Sequence, residues 1–153
     1  MIRYAVAAVL AVVLTPNLAV SQDKPIKQSD LPAAVARTVT AETRGATLRG
    51  LSKEIEKGKT LYEAEFTKDG HNRDVLIDAA GAVVEIEEQV EMGSLPAPVQ
   101  AGLKAAAGKG QIIKIESLTK KGALVAYEAQ VKTGTKRSEV QVGPDGKRLA
   151  HSE

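Results

Sequence analysis

The sequence predicts an α+β protein with two tandem repeats, each one helix followed by a four-stranded antiparallel meander, and with the helices on one face of the sheet. Three observations lead to this fold class. The phrase DLPAAVA at residues 30–36 returns as SLPAPVQ at residues 94–100. After each phrase the spacing of the apolar residues changes from four to two, which marks a helix followed by strands. Glycine turns then recur at short intervals, as they do in a series of hairpins.

The recurrence extends beyond these phrases. An offset of 64 residues superposes the apolar residues of the first helix on those of the second. With one extra residue, Tyr62-Glu63-Ala64 falls on Tyr127-Glu128-Ala129. Self-similarity at a fixed period indicates a repeated structural unit. We therefore expect a first repeat at residues 22–92 and a second at residues 93–153.

The first helix is predicted from an apolar stripe. Leu31, Val35 and Val39 are four residues apart and would share one side of a helix. Asp30 is suited to cap the start of this helix, and Gly45 is suited to end it. The stripe would pack against a sheet.

The second helix repeats this arrangement. Leu95, Val99 and Leu103 form the stripe, and Ser94 takes the capping position. Pro98 is the difference, because a proline there removes an early helical hydrogen bond. We therefore expect the second helix to start late or irregularly.

The strands are predicted from alternation. Tyr62, Ala64 and Phe66 alternate with Glu63 and Glu65, so that one face of the strand is apolar and the other is acidic. Turn signals separate the strands at residues 57–58, 69–70, 80–81, 121–122, 133–134 and 145–146. The last strand of the second repeat, residues 147–153, is cut short by the chain end.

Covering one face of such a sheet with helices leaves the other face open and polar. The outward strand positions on that face are predicted to be Glu63, Glu65, Asp74, Asp78, Glu85, Glu87, Glu128, Gln130, Lys132, Glu139 and Gln141. From these we select candidate partner-binding residues, namely Glu63, Glu65, Glu128, Gln130 and Gln141.

The N-terminal segment has the pattern of a secretory signal peptide. Arg3 supplies a positive start, residues 4–14 are apolar, and Ala19-Val20-Ser21 is a small-x-small cleavage site. The apolar run is about half the roughly 20 residues that span a bilayer. We therefore expect a signal peptide at residues 1–21, no membrane span after its cleavage, and a periplasmic or secreted protein.

The composition of the chain excludes several classes of functional site. The chain has no cysteine, which excludes disulfides, thiolate metal sites and a cysteine nucleophile. Its two histidines, His71 in a predicted turn and His151 near the chain end, are expected to be surface residues. No nucleophile, base and orienting group occur as a set, so we predict no catalytic residues and no enzyme. We also predict no cofactor and no metal site.

Two acidic stretches are candidates for cation sites. KDGHNRD at residues 68–74 is shorter than a calcium loop and lacks its closing glutamate, so a hairpin turn is the favoured interpretation. Glu85 and Glu87 would share one strand face about 7 Å apart. Without a histidine or an apolar enclosure nearby, a solvated face is favoured for this pair.

Charge is divided between the two halves. Residues 22–92 carry ten basic and fourteen acidic residues, whereas residues 93–153 carry ten basic and five acidic residues. This asymmetry is interpreted first as attraction across the junction of the halves, and second as a dipolar surface that steers a charged partner. Near-neutral total charge, export and few aromatic residues all count against nucleic-acid binding.

The Leu-Pro-x-x-Val helices, the strands YEAEF and YEAQV, and the segments DVLIDAAGAVVEIE and EVQVGPDGKRL resemble PepSY-like domains. That group includes the beta-lactamase-inhibitor-like exported proteins. The resemblance covers residues 30–149 and implies the tandem helix-plus-four-strand fold. It also implies an exported, non-catalytic protein that binds or inhibits another exported protein, such as a peptidase. The alternative function is a small-ligand or cation-binding envelope protein. The missing cysteines and scarce aromatic residues depart from the beta-lactamase inhibitor itself.

Overall fold

The computed structural model describes residues 24–56, 58–149, 151 and 153. The predicted signal peptide lies outside these described residues. Helix α1 spans Ala33–Glu42 and helix α2 spans Ala97–Ala107. Short 3₁₀ turns at Gln28–Asp30 and Met92–Ser94 precede them. The strands are β1 (Lys24–Pro25), β2 (Thr47–Glu56), β3 (Lys59–Lys68), β4 (His71–Asp78), β5 (Val83–Gln89), β6 (Gln111–Lys120), β7 (Ala123–Thr133) and β8 (Lys136–Val142).

The strands form one continuous antiparallel sheet in chain order from β1 to β8. The predicted fold class, two tandem repeats of a helix and a four-stranded meander, is therefore wrong. Strand β1 precedes the first helix, and β5 pairs directly with β6, so the two halves share a single sheet. After α2 the described chain forms three strands, and the predicted fourth contributes only an isolated bridge between Arg148 and Val142. Pairing β5 with β6 satisfies backbone groups that two separate meanders would leave at exposed edges.

Both helices begin at a proline. Pro32 and Pro96 occupy the N-cap positions, with φ of −55° and −56°. The predicted caps, Asp30 and Ser94, end the preceding 3₁₀ turns instead. The Asp30 carboxylate accepts a hydrogen bond from the backbone N–H of Lys27 at 3.1 Å and thus stabilises its own turn.

Pro98 does not delay the second helix. It lies in the first turn of α2, where the backbone N–H groups have no partner within the helix, so a missing N–H costs little. The predicted late or irregular start is therefore wrong, and α2 begins one residue after Pro96, as α1 begins one residue after Pro32.

The helices pack on the sheet over two apolar clusters. Val35 and Val39 of α1 meet Phe66, Val75 and Ile77, all at most 1% exposed. The corresponding cluster under α2 contains Val99, Leu103, Ala129, Val131 and Val142. Burial of these apolar side chains is the main source of stability in a chain without disulfides.

Two glycine turns fix the helices against the sheet. Gly81, with φ of 89°, lies so close to the Ala34 backbone that a Cβ would be 2.9 Å from its carbonyl oxygen. Gly146, with φ of 79°, approaches the carbonyl of Pro98 in the same way. Both the backbone conformation and the contact require glycine at these two positions. No helix in the described part of the chain is long and apolar enough to cross a membrane.

Candidate functional site

The face of the sheet away from the helices is called here the open face. Successive side chains of a strand point to opposite faces. Because Tyr62, Ala64 and Phe66 pack beneath α1, Glu63 and Glu65 lie on the open face. The same alternation applies to the strands beneath α2, so the open face is continuous across both halves of the chain.

A row of carboxylates crosses five strands of the open face. Glu65 on β3, Asp74 on β4 and Glu87 on β5 are direct cross-strand neighbours. Glu116 on β6 and Glu128 on β7 are also direct neighbours. We call these five residues the carboxylate row. Like charges directly opposite each other destabilise a sheet, so this arrangement opposes folding rather than supporting it.

The middle of the row is its most crowded part. Carboxylate oxygens of Asp74, Glu87 and Glu116 all lie within 4.8 Å of one another. Three such oxygens could serve as ligands of a cation, although Ca²⁺ takes about six to eight oxygens, so most of its ligands would have to come from elsewhere.

The chain supplies some positive charge to the row. Arg49 places Nη2 at 3.4 Å from Glu65 Oε2 and at 3.9 Å from Asp74 Oδ1. Lys114 forms an ion pair with Glu116. Asp74 Oδ1 is nevertheless buried without a hydrogen-bond partner. These two cations, both in the described part of the chain, are fewer than the five carboxylates of the row.

Burial and mutual repulsion alter the acidity of the row. Burial, followed by the charges of Glu116, Glu128 and other carboxylates, raises the pKa of Glu87 to about 7. Burial also raises the pKa of Asp74, against the opposing effect of Lys114. For Glu128 burial raises the pKa, while the hydrogen bond from Gln141 lowers it. Glu87 is half-buried by neighbouring side chains, so the predicted solvated face describes it only in part.

A cavity of about 340 Å³ opens on this face beside the row. Its lining residues are Glu54, Glu56, Glu63, Asp74, Leu76, Glu85, Glu87, Lys120 and Glu153. Seven of these nine residues are acidic, and the single lysine, Lys120, lies 3.5 Å from a Glu85 oxygen. A second cavity of about 270 Å³ adjoins it and includes Leu61, Leu76 and Val84.

The predicted partner-binding residues occupy two separate parts of the open face. Glu63 and Glu65 are on β3, and the Glu63 carboxylate accepts a hydrogen bond from Ser52 Oγ at 2.9 Å. Glu128 and Gln130 are on β7, which is four strands away in the sheet. The prediction therefore named both ends of an acidic surface and omitted its centre.

The Gln141 side chain forms hydrogen bonds within the chain through both its nitrogen and its oxygen. Its Nε2 donates to Glu128 Oε2 at 2.7 Å, and its Oε1 accepts from the backbone N–H of Glu153 at 2.9 Å. Gln130 lies opposite Glu139 on β8 and Lys114 on β6. Gln141 is thus better placed to orient Glu128 than to contact a partner.

The sequence missed the central residue Glu116. Its strand was predicted, and alternation with buried Ile115 would have placed Glu116 on the open face. Its proximity to Asp74 and Glu87 depends on the pairing of β5 with β6, which was not predicted. Asp74 and Glu87 were assigned to the open face but not to the binding site.

The KDGHNRD segment is a hairpin turn, as predicted. Asp69 and Gly70 adopt φ of 51° and 83° between β3 and β4. Asn72 Oδ1 accepts a hydrogen bond from Thr67 Oγ1 at 3.3 Å across this hairpin. His71 pairs with Lys68 at the start of β4 and is half-buried.

The junction of the two charged halves lies between β5 and β6. There Glu85 and Lys120 are direct cross-strand neighbours and form the 3.5 Å ion pair. This contact agrees with the predicted attraction between the halves, because each half contributes one of the two charges.

No family model and no curated protein sequence matches the chain. Solved structures with a similar fold do exist. A protein from Bacteroides eggerthii, provisionally described as periplasmic, has a TM-score of 0.65 and 17% identity over 78% of this chain and 86% of its own. A DUF2874 family protein from Bacteroides ovatus has a TM-score of 0.62 and 16% identity, covering 78% of this chain and 84% of that one.

A BLIP-like protein from Bacteroides fragilis has a TM-score of 0.57 and 19% identity, covering 76% of this chain and 81% of its own. At these identities the similarity establishes the fold alone. The fold agrees with the beta-lactamase-inhibitor-like part of the sequence resemblance. The PepSY-like assignment stays a prediction.

Proposed function

We propose that the protein is an exported, non-catalytic binding protein that uses its open face to capture another exported protein, such as a peptidase, and to modulate it. The observation that carries this proposal is the carboxylate row, whose side chains are half-buried or buried and which lies on the face opposite the two described helices. The predicted signal peptide and the description of the Bacteroides eggerthii protein support a periplasmic or secreted location.

The energetics of the row favour binding over a purely structural role. Asp74 and Glu87 face each other as like charges, and such pairs cost stability in an isolated sheet. Local features that oppose folding are typical of functional sites, because a partner provides the missing stabilisation. A partner that brings positive charge to this face would do so.

Capture from an envelope extract tests the proposal. The mature chain, starting after Ser21, is immobilised, and captured proteins are identified by mass spectrometry and then purified for binding in isolation. We expect the triple reversal of Glu63, Glu65 and Glu128 to lysine to abolish binding of the purified partner. Circular dichroism monitors folding of each variant.

The matched control is Glu91→Lys, a reversal at an exposed acidic residue in the connection between β5 and α2. Glu42 is unsuitable as a control, because Glu42 Oε2 lies 3.7 Å from Arg73 Nη2. If Glu91→Lys weakens binding as much as the triple reversal while both variants fold, the open face is not the binding surface.

The competing hypothesis is a cation-binding envelope protein. It is supported by the short distances among the Asp74, Glu87 and Glu116 oxygens, and it is opposed by the ion pair that Lys114 already gives Glu116. Calorimetry with CaCl₂ and MgCl₂ separates the two functions. Heat of binding that disappears in Asp74→Asn, together with no captured protein, would favour the cation.

A further inference from the structure

We propose that the occupant of the open face is a basic segment of the partner protein, whose Lys or Arg side chains enter the acidic cavity and reach the carboxylate row. This inference rests on the proposed function and deepens it by naming the chemistry of the partner. It follows from the charge, the extent and the apolar surroundings of the uncovered face.

Charge complementarity is the first argument. The cavity of about 340 Å³ has seven acidic lining residues, and its one lysine, Lys120, already pairs with Glu85. Asp74 and Glu87 both line this cavity and face each other across neighbouring strands, and carboxylate oxygens of these two residues and of Glu116 lie within 4.8 Å of one another. Positive groups of a partner would relieve the repulsion among these carboxylates, whereas an acidic partner would be rejected.

The extent of the row is the second argument. Neighbouring strands are about 4.8 Å apart, so a row from β3 to β7 extends over roughly 19 Å. A single metal ion at Asp74 and Glu87 cannot contact Glu128 at the far end of such a row. A chain segment with several basic side chains can neutralise its whole length.

The apolar surroundings are the third argument. The adjoining cavity of about 270 Å³ is lined by Leu61, Leu76 and Val84, and Leu76 lines both cavities. Its rim also carries Lys59, Lys120 and Lys121, so the charged heads of a basic segment would have to turn away from it and toward the carboxylate row. Lys and Arg side chains combine a charged head with an apolar stem. Stems lying along these residues would place the charged heads at the carboxylates, an arrangement that a small inorganic cation cannot use.

The test uses a fluorescein-labelled peptide of about ten residues with lysine at alternate positions, which spaces its charges at about 7 Å when extended. Fluorescence anisotropy measures its binding to the mature protein near pH 8, where the carboxylates are ionised. We expect binding at about 20 mM NaCl that weakens at least tenfold at about 500 mM. The same peptide with glutamate in place of lysine should not bind.

Two adjacent residues provide a matched pair of variants. Glu87 faces the cavity, whereas Glu88 faces the helix side and pairs with Arg73 at 3.2 Å. Each change to glutamine removes one negative charge. We expect Glu87→Gln to weaken peptide binding about fivefold, and Glu88→Gln to change it less than about twofold.

Several outcomes would overturn the inference. Equal weakening by Glu87→Gln and Glu88→Gln would show attraction to net charge rather than to the cavity. If spermidine competes for the site as strongly as unlabelled peptide of equal total charge, the occupant of the open face is a small polycation. If the protein binds CaCl₂ but not the peptide, the occupant of the open face is a metal ion. If the protein self-associates at low salt and Glu87→Gln abolishes this association, the occupant is a second copy of the chain.

The proposed function can fail or survive separately. If the peptide does not bind but the captured partner still depends on Glu63, Glu65 and Glu128, the open face is the binding surface and only the basic chemistry is wrong. If the peptide binds the cavity but the binding of no exported protein depends on these residues, the cavity does bind basic segments and the proposed capture function is wrong.

Discussion

Glu87 lies directly opposite Asp74 on the neighbouring strand, and the two half-buried carboxylates share the centre of the open face. Neither residue contributes to the apolar clusters beneath the helices. The pair therefore affects the protein through its charge. Three consequences of the surrounding structure and one of the N-terminal sequence can be measured.

The stability of the fold should depend on pH through Glu87. Its pKa is about 7 in the folded protein, against 4.5 ordinarily, so the folded state holds this proton more tightly than the unfolded state. Stability attributable to Glu87 is therefore present below about pH 4.5 and is lost as pH rises through 7. Glu87→Gln should raise the free energy of unfolding near pH 8 by up to about 3 kcal/mol, and by little near pH 5.

Urea unfolding at both pH values measures this effect, with Glu88→Gln as the control. Glu88 is paired with Arg73 on the helix side, so its replacement should not reproduce the pattern. A stability gain for Glu87→Gln that is the same at both pH values would contradict the raised pKa.

The ion pair of Lys114 with Glu116 should be important for stability. Glu116 is only 4% exposed, so removing its partner leaves a buried charge without compensation. Lys114→Met should lower the free energy of unfolding near pH 8 by about 3 kcal/mol. Thermal unfolding monitored by circular dichroism would detect this loss.

Lys147→Met is the matched control for this change. Lys147 also pairs with a carboxylate, that of Asp145, but its side chain is 85% exposed. Water replaces such a contact readily, so the unfolding temperature should stay unchanged. Equal losses for the two variants would mean that burial of Glu116 does not decide the effect.

Gly102 should be required for the packing of α2. A Cβ at this position would overlap the carbonyl oxygen of Gly146 in the turn after β8. Alanine ordinarily favours a helix over glycine by about 1 kcal/mol, yet the backbone collision should give a net loss of about 2 kcal/mol. Urea unfolding of Gly102→Ala tests this, and Gly93→Ala, where a Cβ has no atom within 4 Å, is the control. A more stable Gly102→Ala protein would show that the turn can move away.

Export should remove the first 21 residues. The segment ending in Ala19-Val20-Ser21 predicts cleavage before Gln22. Sequencing the N-terminus of the protein from cell fractions should find Gln22 in the periplasm or the medium. A cytosolic protein that retains Met1 would contradict the proposed location.

The local pattern of the chain determined its helices and most of its strands. Val35 and Val39 specify a helix because apolar residues four apart share one side of it, and both are buried in α1. Leu31, the third residue of the predicted stripe, lies before the helix in extended backbone, so that part of the prediction is wrong. Alternation likewise placed Glu63 and Glu65 on the face opposite Tyr62 and Ala64. Each of these patterns lies within one segment of the sequence, so it predicts the structure of that segment without knowledge of the segments that pack against it.

The tertiary structure alone decided which strands join the two halves of the sheet and where the carboxylates meet. The register of β5 on β6 brings Glu116 from the second half beside Glu87 from the first, and no local pattern encodes that pairing. The acidity of Glu87 has the same origin, since burial and the charges of residues distant in sequence raise its pKa. Pairing between segments and the exclusion of water are properties of the assembled sheet, whereas periodicity is a property of each segment by itself.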